Sequence, residues 1–145
     1  MAVESGVYPC YENQFQVKVG NAYKTIADME TFSVSIDNGV EEWTPFEQEG
    51  WKRRLMTAKS ITMSVSGKRN IGDAGNDYIA GLYMENGQAS QGAVKWTFPN
   101  GDTLEFNDAV INIKNMGAGD STNVAPLEFD ILSNGKPTYT AAAGA

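Results

Sequence analysis

Hydrophobic and polar side chains alternate along most of this chain, the pattern of a β-strand with one buried face. The alternation is clear in the segments 15–19, 32–36, 61–66, 94–98, 104–106, 109–113 and 127–131. Turn sequences separate these segments, among them Asp37-Asn38-Gly39 and Pro99-Asn100-Gly101-Asp102. Because Asn-Gly between extended segments favours a tight hairpin, we predict a turn at Asp37-Asn38-Gly39 and a returning strand from Val40 to Trp43.

One segment has helical spacing instead. Asp73 is a candidate N-cap, and Asn86-Gly87 is a candidate C-terminal stop. Between them, apolar side chains recur three and four residues apart, at Tyr78, Ile79, Leu82 and Tyr83. We predict a helix of about ten residues whose apolar side covers a sheet.

Together these elements predict a mainly β fold, an antiparallel β-sandwich or open barrel with one flanking α-helix. The 145 residues fit a single domain. Residues 1–13 lack periodicity and are predicted to form an N-terminal arm, and residues 138–145 are predicted to be a mobile tail rich in small residues.

The segment from Trp43 to Ala58 is predicted to be a long ordered loop. Four glutamates lie in or just before its first half, at 41, 42, 47 and 49, and three basic residues follow at 52–54. Long ordered loops in compact domains usually have a function, so we expect this loop to contact another protein surface. The residues predicted to make that contact are Trp43, Phe46, Glu47, Glu49, Trp51, Arg53 and Arg54.

Composition excludes several classes of chemistry. There is no histidine, which removes Ser/His/Asp and Cys/His nucleophile arrangements and every His-ligated metal site. Cys10 is the only cysteine, so no intrachain disulfide can form. The carboxylate pairs and the Gly117-Ala118-Gly119-Asp120 loop lack the spacing of catalytic or phosphate-binding motifs. We therefore predict no catalytic residue, no metal, no cofactor and no enzyme activity.

Net negative charge is concentrated in the second half of the chain, because residues 1–72 hold eight basic and nine acidic side chains and residues 73–145 hold three and nine. Eighteen acidic against eleven basic residues give a net charge of −7. The acids on the polar faces of predicted strands are Glu105, Glu128 and Asp130. A sheet face of this kind repels phosphate, so it would hold DNA poorly and let it slide.

Small hydroxyl side chains line the outer faces of two predicted strands, at Ser33, Ser35, Ser64 and Ser66. Contact with another subunit and an ordinary solvated strand face both explain them. The first twenty residues lack an apolar run, so we expect no signal peptide. No segment approaches the roughly 18 apolar residues of a membrane span, so we expect no membrane association.

The sequence resembles the major tail tube proteins of long-tailed bacteriophages. Two segments carry the resemblance: GWKRRLMTAKSITMSVSGKRNIGDAGNDYIAGL, from Gly50 to Leu82, and APLEFDILSNGKPT, from Ala125 to Thr138. Related tubes occur in contractile tails, phage-like bacteriocins and type VI secretion. The resemblance implies a β-sandwich or barrel with a flanking helix, and hexameric rings that stack into a tube conducting DNA during genome ejection.

The resemblance also implies partners and a location. The chain would bind copies of itself, with Trp43 to Ala58 reaching the adjacent ring, and other tail proteins such as the tape measure, terminator and distal tail proteins. Glu105, Glu128 and Asp130 would face the lumen, and DNA would pass without specific binding. The protein would belong to the virion tail and be assembled in the host cytoplasm.

A different class of function is a monomeric β-sandwich module that binds carbohydrate. Trp43, Trp51 and Trp96 would then form a stacking platform. Trp96 alternates with Val94 and Phe98, which favours a place in the core and weakens that platform.

Overall fold

A computed structural model of the chain describes residues 6–142. It contains eight strands, one α-helix and four short 3₁₀ helices. The strands are β1 (Gln14–Val19), β2 (Ala22–Thr25), β3 (Met29–Trp43), β4 (Arg53–Lys68), β5 (Gln91–Thr97), β6 (Thr103–Asn115), β7 (Pro126–Leu132) and β8 (Thr138–Thr140). The helix is α1 (Ala74–Ala80), and the 3₁₀ helices are Cys10–Glu12, Phe46–Gln48, Gly81–Met84 and Gly87–Ser90.

All eight strands belong to one antiparallel sheet in the order β2-β1-β5-β6-β7-β4-β3, with β8 beside β6. The long strand β6 pairs with β5 mainly through its first half and with β7 through its second half. An irregularity between Phe106 and Ala109 interrupts its register with β5, and an extra residue at such a point bends a strand. β6 is therefore the strand at which the sheet folds over.

Folding brings the two ends of the sheet close together. The rings of Phe15 in β1 and Phe32 in β3 lie 4.7 Å apart, although these strands are five positions apart in the sheet. The sheet stays open, because β2 and β3 end it without pairing to each other. The predicted fold class, a mainly β sandwich or open barrel with one flanking helix, is confirmed.

The core lies on the concave face of this folded sheet. Its fully buried side chains come from alternate positions of the central strands, as the periodicity predicted, and include Val17, Met63, Val65, Val94, Leu127, Phe129 and Ile131. Trp96 packs against this core together with Phe15 and Phe32. Trp96 is thus a core residue and is not part of a binding platform.

The predicted helix is present, but only its first part is α-helical. Asp73 caps α1 by accepting a hydrogen bond from the backbone N–H of Asn76. The α-helix ends at Ala80 and continues as a 3₁₀ turn to Met84. A side chain at Gly75 would collide with the carbonyl oxygen of Thr25, so this glycine lets α1 lie directly on the end of β2.

The predicted hairpin at Asp37-Asn38-Gly39 is wrong, because β3 runs straight through it to Trp43. The pairing with β4 instead shifts there, from Gly39 opposite Ala58 to Val40 opposite Met56. Gly39 suits this bulge, because even an added Cβ would lie only 3.0 Å from the Cβ of Ala58. An Asn-Gly pair serves a bulge as well as a turn, since both need a residue with little steric bulk.

The two ends of the chain are attached to the body. Asn13, in the predicted N-terminal arm, accepts a hydrogen bond from Trp96 Nε1 at 2.8 Å. Thr138–Thr140, in the predicted mobile tail, pair with β6 as strand β8. Asp102 holds this strand by accepting hydrogen bonds from the Tyr139 hydroxyl and the Ala142 N–H. Residues 1–5 of that arm and 143–145 of that tail lie outside the described residues.

Candidate functional site: the β3–β4 arm and the polar sheet face

The distal halves of β3 and β4 form a two-stranded arm, which we define as residues 37–60. β7 pairs with β4 only from Thr62 to Lys68, so the arm strands pair with each other and with no other described strand. Every arm residue except Pro45 is exposed. At about 3.3 Å per residue, the strand from Asp37 to Trp43 extends about 20 Å.

The arm replaces the loop predicted over Trp43 to Ala58. Only residues 44–52 connect the strands, and residues 53–58 already belong to β4. Charges sorted along the sequence meet as cross-strand pairs: Glu42 binds Lys52 at 3.3 Å and Arg54 at 2.9 Å. Hydrogen bonds from Arg54 and then Lys52 lower the pKa of Glu42 below its usual value. These charges therefore stabilise the arm itself.

The predicted contact residues separate into two groups. Trp43 lies directly opposite Arg53, whose guanidinium is 5.9 Å from the indole ring centre. These two residues therefore contact each other within the arm, as Arg54 contacts Glu42. The others, Phe46, Glu47, Glu49 and Trp51, lie in or beside the turn at the tip. Phe46 is fully exposed and Trp51 is 77% exposed, so the tip presents two aromatic side chains to solvent.

A stripe of exposed apolar side chains runs from the middle of β3 onto the arm, and the sequence did not reveal it. The apolar stripe consists of Val34, Ile36, Val40 and Met56. Val34 and Ile36 lie opposite Met63 and Ile61, so they continue the core-facing side of β4 outward. Their alternation is the same as in a buried strand, and only the structure shows that Val34 stays 38% exposed and Ile36 55% exposed.

A groove lies at the other end of β3, where the ends of the sheet approach each other. This seam groove has a volume of about 510 Å³. Its lining is mixed, with apolar or aromatic side chains at Cys10, Tyr11, Phe15, Ile26, Met29 and Phe32 and polar ones that include Asn13, Asp28 and Glu30. The base and the tip of one long strand thus present two separate apolar surfaces.

The three predicted lumen acids lie on the polar side of the sheet but not together. Glu105 is near β2, where Tyr23 donates a hydrogen bond to its Oε2 at 3.1 Å. Burial, followed by the charge of Glu105 and this bond, raises the pKa of Tyr23 to about 12. Asp130 lies on β7 opposite Asn112 of β6, and Asn112 is seven residues, or about 23 Å, along β6 from Glu105.

Glu128 and Asp130 share a shallow groove with Ser33, Ser64, Ser66 and Lys114. Ser64 donates to Asp130 Oδ1 at 2.7 Å, and Lys114 Nζ lies 3.6 Å from the same oxygen. Lys95 lies opposite Glu105 and so on the same face. This polar face is therefore less acidic than the sequence indicated, because two lysines lie beside its acids.

The described residues 6–142 hold neither a metal-binding cluster nor a membrane-spanning helix. No three of the His, Cys, Asp or Glu side chains there are grouped in a way that could hold a metal ion. No helix in that range is long and apolar enough to cross a membrane.

Comparison of the sequence finds no matching family model and no matching curated protein. Comparison of the fold finds solved structures of phage-like particles. The tail of an empty gene transfer agent particle, refined with C6 symmetry, has a chain that matches with a TM-score of 0.77. That match is 18% identical and covers 93% of this chain and 100% of the other.

Two further solved structures agree. A chain of the native gene transfer agent virion matches with a TM-score of 0.73 at 17% identity, covering 93% of this chain and all of its own. A chain of the sheath-tube complex of an extracellular contractile injection system, PVC, matches with a TM-score of 0.61 at 15% identity. That match covers 92% of this chain and 91% of the other. This protein therefore has the fold of solved tail and tube structures from phage-like particles, as its resemblance to tail tube proteins implied.

Proposed function

We propose that this chain is a structural subunit that assembles into hexameric rings, which stack into a tail tube. It has no enzymatic role. The observation that carries the proposal is the arm: a two-stranded extension whose two tip aromatics are mostly exposed, and whose apolar stripe is about half exposed, among the described residues 6–142. Exposed apolar surface of this extent marks an interaction site.

The open edges of the sheet support lateral assembly. β3 ends the sheet and leaves a row of backbone groups unpaired over fifteen residues, and β2 ends it on the other side. Long exposed edges are prone to pair with another chain. A ring removes them by joining the sheets of neighbouring subunits into one closed barrel, and the C6 symmetry of the similar gene transfer agent tail is consistent with six subunits per ring.

The polar face carrying Glu105, Glu128 and Asp130 is the proposed wall of the lumen. Its carboxylates repel the phosphates of a duplex, which carries one charge per about 1.7 Å of axis. Lys95 and Lys114 moderate that repulsion locally. A wall of hydroxyls and paired charges offers DNA few strong contacts, which suits passage during genome ejection without specific binding.

Other parts of the proposal follow from the similar particles. The ends of a tube need proteins that cap it or join it to the rest of the tail, so terminator, distal tail and tape measure proteins are the proposed partners. The protein's place is the virion tail, with assembly in the host cytoplasm. A carbohydrate-binding module has no comparable support, because Trp96 packs against the core and the guanidinium of Arg53 lies over the ring of Trp43.

Electron microscopy of the purified protein tests the proposal. We expect rings or tubes with sixfold symmetry, in equilibrium with subunits at low concentration. Deleting Pro45 to Arg54, which removes most of the connection and the first two residues of β4, with a two-residue turn in their place, should leave folded subunits that do not form tubes. A protein that stays monomeric at every concentration, or normal tubes from the deletion variant, would contradict the proposal.

A further inference from the structure

We infer that the aromatic tip of one subunit's arm inserts into the seam groove of a second copy in the next ring. The inference rests on the proposed function and names the two surfaces that meet. The tip supplies Phe46 and Trp51, and the groove is lined by Tyr11, Phe15, Met29 and Phe32.

The chemistry of the two surfaces matches. Phe46 and Trp51 are large apolar side chains that the free subunit leaves in water. The seam groove is open and exposes more apolar than polar surface, although Asp28 and Glu30 also line it, and at about 510 Å³ it falls within the size range of ligand-binding pockets. Phe15 and Phe32 already contact each other edge to face, and their exposed edges offer an incoming aromatic ring the same favourable geometry.

The positions of the two surfaces also match. The groove is lined by the first residues of β3, and the tip follows its last residue, Trp43. Fifteen residues at about 3.3 Å each separate the surfaces by roughly 46 Å along one strand. A contact between different surfaces at opposite ends of one subunit is heterologous, so it repeats from copy to copy without closing. That is the geometry a stack of rings requires.

Another groove near exposed hydrophobic residues suits the tip less well. It lies beside Tyr83 and Met116 and has a volume of about 260 Å³, half that of the seam groove. It is lined by β6 and the segments around it and not by an end of β3.

The chain carries a chemical probe in the right place, because its only cysteine, Cys10, is exposed and lines the seam groove. A Gln48→Cys variant adds one thiol at the tip. In assembled protein treated with a short bismaleimide, we expect a ladder of covalent multimers on a denaturing gel, since every copy then offers one tip thiol and one groove thiol. The same variant with Cys10→Ser should give no ladder.

Two further measurements use the same surfaces. The thiol of Cys10 should react readily in dilute subunits and at least tenfold more slowly in tubes. Phe46→Ala should raise the concentration needed for assembly by about tenfold to a hundredfold, because the apolar area that the groove would bury is lost. Subunit stability should not change, because Phe46 is fully exposed in the free subunit. Gln48→Ala is the matched control and should leave assembly unchanged.

The outcomes separate this inference from the proposed function. If tubes form but cross-linking gives no ladder of multimers, or gives tip-to-tip dimers only, the groove contact is wrong. The proposed function as a tube subunit would then still stand. A Cys10 thiol already protected in dilute subunits would show that another segment of the same chain fills the groove, which also overturns it. A protein that forms no tubes under any condition would contradict both the groove contact and the proposed function.

Discussion

The side-chain amide of Asn76 donates a hydrogen bond to the carbonyl oxygen of Lys68 at 2.9 Å, tying α1 to the last residue of β4. Asn76 is completely buried. Its amide also reaches the carbonyl of Ala27, and its Oδ1 accepts from the Asn70 N–H and from Arg69. One side chain thus joins α1, the turn before β3 and the end of β4, at the end of these two strands that lies opposite the arm.

Replacing Asn76 should therefore destabilise the subunit strongly. Asn76→Ala leaves several buried backbone groups without partners, and we expect a loss of about 3 kcal/mol in the free energy of unfolding. Urea denaturation of dilute subunits measures it. Asn86→Ala removes an exposed amide with no side-chain cap bond, and should cost less than about 0.5 kcal/mol. Equal effects from the two variants would show that the Asn76 network contributes little.

The attachment of β8 should depend on pH. A hydrogen bond from Tyr139, followed by one from the Ala142 N–H, lowers the pKa of Asp102 below its usual value. A carboxyl group with a lowered folded pKa contributes stability above its unfolded pKa, near 4, and loses it as the pH falls through the folded pKa. The amides of Thr138–Thr140 should therefore exchange with solvent faster, after correction for intrinsic rates, as the pH drops below about 4.

The hydrogen bond between Tyr139 and Asp102 also predicts that the attachment of β8 weakens at alkaline pH. The variant Tyr139→Phe tests both pH dependences. Tyr139 has a raised pKa because of its hydrogen bond to Asp102. Because the folded state holds the neutral phenol, this contribution is lost as the pH rises above the ordinary tyrosine pKa of about 10. Tyr139→Phe should speed exchange at neutral pH and flatten both dependences, whereas Tyr11→Phe, at an exposed tyrosine, should not. Unchanged exchange in Tyr139→Phe would contradict this role.

The apolar stripe should affect assembly without affecting folding. Ile36 is 55% exposed in the subunit, so Ile36→Ser gives up mainly the area that a neighbour would cover. We expect about a tenfold rise in the assembly threshold, since about 1.4 kcal/mol of lost apolar burial corresponds to that factor. Sedimentation across a concentration series measures the threshold. Ser60→Thr, an exposed change on the same arm, should leave it unaltered, and an unaltered threshold in Ile36→Ser would show that the stripe stays in water.

The assignment of the lumen wall predicts both a position and a charge effect. A tube reconstruction should place Glu128 and Asp130 on the bore, and finding both on the outer surface would refute the assignment. Glu128→Lys should still form tubes, because Glu128 is only partly buried, but should retain DNA in a salt-dependent way. Glu85→Lys adds the same charge at an exposed position near the helix and should not retain DNA.

The sequence predicted the parts of the fold that follow from local chemistry. Alternation at Ile61, Met63 and Val65 identified a strand with one buried face, and Asp73 was recognised as the helix cap. Turn chemistry was less decisive. Asn38-Gly39 fits both a hairpin and a bulge, and only the pairing of β3 with β4 selects the bulge.

The candidate site was predicted only in outline, because its features depend on neighbours distant in sequence. The tip residues Phe46 and Trp51 stood out as aromatics in a polar segment. Val34 and Ile36 look identical to core residues, since local sequence does not show where the adjoining strand β7 ends. Lys114 likewise gave no sign that it lies beside Asp130.

The separation of tip and seam groove along β3 has a consequence for any polymer built through them. Each copy would contact one neighbour through its tip and the opposite neighbour through its groove. The filament would therefore be polar, with protruding aromatics at one terminus and empty clefts at the opposite one. Growth and capping at the two termini would then need proteins of different shape, and nothing in the repeating contact itself would set the filament's length.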